Sequence, residues 1–172
     1  AYEDSGSKVF NDDGKKISDS LEERIEKKLA EEMTVVEAKD LGKAARISDA
    51  NGRYIEFCKS CLKRDVNFSS LKIVLDVANG AAYDVAPKVF KELGADLIVI
   101  ADKPNGMNIN KDCGSTNIEL LKNEVKKNAA DFGLALDGDG DRLIFVDENS
   151  EILDGDETLY VLARDNFENQ SP

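Results

Sequence analysis

Apolar and polar positions along this chain change period several times, and each change marks an element. Between Ser18 and Glu32, Leu21, Ile25 and Leu29 recur at helical spacing, and Ser18 offers a cap, so the pattern predicts a helix there. Ahead of it, Lys8-Val9-Phe10 reads as a short strand, with Gly14 closing a hairpin turn after Asn11-Asp12-Asp13. Asp40-Leu41-Gly42-Lys43 reads as a connection, and a second helix is predicted from about Asn51 to Leu62. The pattern then resets between Arg64 and Ser70, which is the candidate domain boundary.

Beyond that reset the apolar residues come in short runs. Residues 71–76, 95–100, 132–136 and 143–146 are each too short for a helix and bounded by turn residues, so they predict buried strands. Helices are predicted between them over Tyr83–Leu93, stopped by Gly94, and over Ile118–Asn128. A hairpin is expected through Asp147-Glu148-Asn149-Ser150, and a last helix over Glu157–Arg164 ahead of a frayed tail, 166–172. Strand, helix and strand over 71–100 make one βαβ unit with parallel strands, which places the chain in the α/β class.

The stretch that changes this picture from a fold to a chemistry is Asp137-Gly138-Asp139-Gly140-Asp141-Arg142, set between two of the predicted strands. Two unit charges about 5 Å apart repel by roughly 3 kcal/mol at an effective dielectric near 20. Three carboxylates on one loop therefore need a counter-charge, and Arg142 supplies only one. Three readings compete. A solvated acidic turn is the plainest, although the buried-looking strands on both sides speak against it. An EF-hand loop would match Asp137, Asp139, Asp141 and Glu148, yet it needs glycine where Arg142 stands and helices where strands are predicted. A loop holding Mg²⁺ beside a phosphorylated group, with Arg142 fixing the loop or a phosphate oxygen, fits best.

Charge and cysteine content then narrow the partners. The formal net charge of −12 argues against nucleic acid and against an anionic membrane, and no run is apolar enough to span a bilayer. Cys58, Cys61 and Cys113 are odd in number, which favours a reducing, cytoplasmic setting over a disulfide framework. Cys58-Lys59-Ser60-Cys61 sits late in its helix, unlike a redox motif, and has no second pair for zinc. The Asn79-Gly80 turn lacks the spacing of a phosphate-binding loop and suits close packing instead. Ser115 or Thr116 could contact a phosphate, but capping the helix that follows suits them better, and Asp154 is expected to cap the last one.

Taken together, these residues resemble the α-D-phosphohexomutases. Asp137 to Arg142 matches that family's D-G-D-G-D-R metal loop in full. Gly52-Arg53-Tyr54-Ile55-Glu56-Phe57-Cys58-Lys59, Asp76-Val77-Ala78-Asn79-Gly80-Ala81 and Pro104-Asn105-Gly106-Met107-Asn108-Ile109-Asn110 are most similar to its branch acting on glucosamine phosphate. The resemblance implies a three-layer α/β/α domain with a mainly parallel mixed sheet at 67–172, preceded by an incomplete α/β domain at 1–66. It implies a reversible phosphoryl shift between the 6 and 1 positions of glucosamine phosphate, feeding UDP-N-acetylglucosamine and cell-wall precursors, with a phosphoserine and Mg²⁺ on Asp137, Asp139 and Asp141. Ser5-Gly6-Ser7-Lys8 matches the family's N-G-x-K turn except at Ser5, which makes Lys8 the candidate general acid/base. The family's reactive serine would lie just before Tyr2, and two further domains would follow. The expectation is therefore a partner in the rest of a longer chain, a hexosamine phosphate substrate, and no mutase activity from this chain by itself. Mannose or glucose phosphate mutases, a cation-binding module without chemistry and an aspartyl phosphatase are the alternatives.

Overall fold

The computed structural model describes residues 8–32, 35–43, 45–62 and 66–169. The turn expected at Asp4 to Ser7, the Arg64 start of the expected boundary and the final residues 170–172 lie outside them. The chain forms two compact units, one within Glu3–Ile47 and one within Ser48–Pro172. In the smaller unit, Phe10 and Lys16 form an antiparallel bridge around Gly14, which takes φ +73° as a tight turn requires. Helix α1 (Asp19–Leu29) follows. Ser18 stands at its N-cap position without a side-chain cap; its carbonyl instead accepts from Leu21 and Glu22, and its hydroxyl meets Ser20. A single 3₁₀ turn, Ala38–Asp40, lies in the connection.

The larger unit opens with α2 (Ala50–Ser60) and then builds a five-stranded sheet from β1 (Lys72–Asp76), β2 (Asp96–Ile100), β3 (Phe132–Leu136), β4 (Leu143–Asp147) and β5 (Ile152–Leu153). Its order is β2-β1-β3-β4-β5, with β2, β1 and β3 parallel and β4 and β5 antiparallel to their neighbours. This is the mixed, mainly parallel α/β sheet that the sequence predicted. Helix α3 (Val85–Glu92) connects β1 to β2, α4 (Glu119–Asn128) leads into β3, and α5 (Gly155–Asn169) closes the described chain. The last helix is thus longer than predicted at both ends, and 166–169 are helical.

The period-two alternation of the strands sorts the core into two layers. Val74, Ala135 and Val146 face Leu121 and Val125 of α4, whereas Ile73, Leu75 and Leu134 face Ala86 and Phe90 of α3. Each Val, Leu or Ile among them taken wholly out of water contributes about 1.5–3 kcal/mol. Gly133 is needed for α4 to reach the sheet, because a Cβ there would stand 2.6 Å from Val125. Helix α3 ends as predicted: Gly94 takes φ +95°, its N–H donates to Lys91, and the Ala95 N–H donates to Phe90. Helix α2 packs outside α3, with Lys59 bridging to Glu92 and the Asn51 amide donating to Asp84. That packing is what places α2 in the larger unit. No helix among the described residues is long and apolar enough to cross a membrane.

Candidate metal centre

Residues 137–142 form the loop between β3 and β4, beyond the carboxyl ends of the parallel strands, where open α/β sheets bind ligands. Strands on both sides leave no place for the helices of an EF-hand. Asp137 comes straight off β3 and is buried. Its Oδ1 accepts the backbone N–H groups of Gly140, Asp141 and Arg142 at 3.1–3.2 Å, and its Oδ2 accepts Arg142 Nε at 2.8 Å. Gly140 takes φ +78°, which turns the loop back so that those amides point inward. This is not a solvated turn: its first carboxylate is the internal acceptor around which the loop is wound.

Asp139 and Asp141 are exposed, and one oxygen from each lies within 4.8 Å of the others and of an Asp137 oxygen. Oxygens sharing one Mg²⁺ at about 2.0–2.1 Å can be no more than about 4.2 Å apart, and around Ca²⁺ about 5 Å. The set therefore needs at most a slight closure to share one hard cation. Asp137 Oδ2 takes a single N–H and so keeps an acceptor site for one.

The electrostatics have the same shape. Burial works to raise the Asp137 carboxyl, but the hydrogen bonds from the Arg142 side chain and backbone, with its charge, outweigh it and hold the group below the ordinary carboxylate range. Asp141 is pushed the other way, first by the charge of Asp139 and next by that of Asp137. Arg142 is held more firmly protonated by its hydrogen bond to Asp137. One acid is thus neutralised within the loop, and two remain under repulsion that a cation would relieve.

Two neighbouring loops fix the metal loop, a supporting role that the sequence did not assign to either. The Ala81 N–H donates to the Gly138 carbonyl at 2.8 Å, and the Ser115 N–H donates to that of Leu136 at 2.9 Å. Gly80 permits the first contact, since a Cβ there would lie 2.3 Å from the Gly138 oxygen. The small residues of the Asn79-Gly80 turn therefore serve packing, as predicted, but the packing is against the metal loop. Helix α4 has Ile118 at its N-cap position with no side-chain cap, so neither Ser115 nor Thr116 has the capping role predicted for it.

Lys8 is exposed, in the smaller unit just ahead of the Phe10–Lys16 bridge. Cys58 and Cys61 share the last turn of α2, where the Cys61 N–H donates to the Cys58 carbonyl, and Cys113 is buried beside the Asn79 amide. Asp154 does cap α5: it accepts the Glu157 N–H at 2.8 Å while Glu157 accepts the Asp154 N–H at 2.9 Å.

Comparison with known proteins adds three findings. Residues 52–151 match the family model described as phosphoglucomutase/phosphomannomutase, alpha/beta/alpha domain II. The chain is 54% identical over 164 residues to the phosphoglucosamine mutase of Pseudomonas fluorescens SBW25, covering 95% of this chain and 37% of that protein. It is 52% identical to the phosphoglucosamine mutase of Pseudomonas syringae pv. syringae B728a, covering 94% of this chain and 36% of that one. The chain thus spans a little over a third of the length of these relatives. A solved phosphoglucomutase/phosphomannomutase family protein from Burkholderia thailandensis superposes with a TM-score of 0.59 at 28% identity, over 69% of this chain and 26% of that chain.

Proposed function

Because the chain belongs to the phosphoglucomutase/phosphomannomutase family, the α-D-phosphohexomutases, we propose that it is part of a phosphoglucosamine mutase interconverting glucosamine 6-phosphate and glucosamine 1-phosphate. The observation that carries this reading is the convergence of three carboxylate oxygens within 4.8 Å on a strand-to-strand loop. Relatives of that name at 52–54% identity support the sugar assignment. The sheet that begins at Lys72, with α2 packed onto its helix layer, would form the second domain, and the smaller unit would close the first. A cytoplasmic setting and a role in supplying cell-wall precursors belong to the same proposal.

Asp137, Asp139 and Asp141 would hold Mg²⁺, which when bound would neutralise charge on a transferring phosphoryl group. Asp137 is set in advance by its backbone donors, and the loop wound around it leaves Asp139 and Asp141 facing the same space. Arg142 orients Asp137 through Nε, while the rest of its exposed guanidinium is free to meet a phosphate oxygen. Lys8 would move the proton at the substrate hydroxyl as general acid/base, on the strength of its sequence pattern. Spanning 37% of such a relative, the chain alone is proposed to be inactive.

The test is an assay of the longer protein containing this chain against glucosamine, mannose and glucose phosphates. Preference for the glucosamine phosphates, reduced at least a hundredfold by Asp139→Asn, is the expected result. Preference for mannose or glucose phosphates would overturn the sugar assignment, and turnover by the chain alone above a metal-free control would overturn its inactivity.

A further inference from the structure

We infer that Asp76, a carboxylate outside the metal loop, is the positioning residue that holds that loop in its metal-ready shape. It ends β1 and is fully buried. Its two oxygens face different partners: Oδ1 accepts the Ala78 N–H at 2.9 Å, and Oδ2 accepts the Gly114 N–H at 2.8 Å. Those amides belong to two separate connections, 77–84 after β1 and 101–118 before α4, which converge on the residues either side of Asp137. From the first loop, Ala81 donates to the Gly138 carbonyl; from the second, Ser115 donates to the Leu136 carbonyl. The loops also meet each other, because the Asn110 N–H donates to the Ala78 carbonyl at 2.9 Å.

The backbone is shaped around this clasp. Ala78 and Asn79, two and three residues after the acid that binds the Ala78 amide, both take left-handed φ, at 55° and 47°. Two non-glycine residues there cost conformational energy, so the surrounding contacts must hold them. Gly114 takes φ +75°, and a Cβ on it would lie 2.7 Å from the Ala78 methyl and 2.8 Å from the Leu136 oxygen. A carboxylate suits the position chemically, because both oxygens accept. Asparagine offers one acceptor and turns an N–H₂ toward the other amide. The side-chain hydrogen bonds of Asp76 go to these two connections and not to the metal-loop carboxylates.

This inference rests on the metal reading for its functional meaning, but its structural content can be tested without an ion. Amide hydrogen exchange would be measured on this chain as wild type, Asp76→Asn and Asp76→Ala, alongside Mg²⁺ titration by calorimetry. In Asp76→Asn the Ala81 and Ser115 amides are expected to exchange at least tenfold faster while the β1–β2 ladder changes less than threefold, and Mg²⁺ affinity is expected to fall at least threefold. Asp76→Ala should enlarge both effects; should it not fold, the asparagine variant carries the test. Unchanged exchange at Ala81 and Ser115, or acceleration of every amide by one common factor, would overturn the inference, since a merely structural acid gives the second pattern. Wild type that binds no Mg²⁺ would count against the metal reading alone, because the exchange result stands without it.

Discussion

The chain contains two Asp-Gly-Asp runs, and they end in opposite uses. In both, the first aspartate turns its Oδ1 onto a backbone N–H three residues ahead: Asp137 onto Gly140, Asp154 onto Glu157. From that common start the second run continues into α5, with Glu157 answering the Asp154 amide and the acids spent on a helix N-terminus. The first cannot become helical, because β4 begins at Leu143 and Ala81 already holds the Gly138 carbonyl. Its backbone wraps Asp137 instead, and Asp139 and Asp141 are left facing the same space. The local pattern specifies a turn around an aspartate; the neighbouring loops decide whether the remaining acids converge.

Removing the two leading aspartates should separate the runs most sharply. Asp137→Ala takes the acceptor from three amides and from Arg142, and at about 1 kcal/mol for each lost hydrogen bond it should cost about 2–4 kcal/mol in chemical denaturation. Because Asp137 titrates below the ordinary carboxylate range, its contribution is fully present above that range and lost as pH falls through its folded value. The gap between wild type and Asp137→Asn should therefore close on acidification below the ordinary range. A gap that persists there would mean that the charge is not what stabilises the loop.

Gly80→Ala tests the tertiary half of the comparison. Its Cβ has no room beside the Gly138 carbonyl, so a loss of about 1–3 kcal/mol is expected, with weakened metal binding, whereas α5 should keep its helicity. Asp154→Ala should do the reverse, costing about 1 kcal/mol through the cap and leaving metal affinity unchanged. The smallest effect belongs to Asp141→Asn. Without metal it should raise the melting temperature slightly, because Asp139 and Asp137 repel the ionised Asp141, and in excess Mg²⁺ the order should invert. A variant less stable than wild type in chelator would show that the repulsion is already relieved.

What the sequence disclosed and withheld follows the same division between local and non-local causes. Strands β1 to β4 were legible because strands inside a covered sheet read as short apolar runs, and α3 because Gly94 stops it. The three aspartates were legible because their spacing is local. Strand β5 was legible only as the return arm of the hairpin expected through 147–150: Ile152–Leu153 is too short to carry a pattern of its own and pairs with Phe145 and Val146. Ser18 takes the N-cap position offered to it, although its hydroxyl turns to Ser20, whereas the capping role offered to Ser115 or Thr116 was wrong, since the Ser115 amide is drawn to Leu136. Nothing local marks Asp76 either, whose partner Gly114 lies 38 residues on.

The most direct measurement is calorimetric titration of this chain with Mg²⁺ beside Asp139→Asn. If Asp137 presets a loop that Asp139 and Asp141 complete, wild type should bind the ion weakly and the variant should lose that binding at least tenfold. No binding by wild type, or equal binding by the variant, would contradict the assignment of this loop as the metal centre.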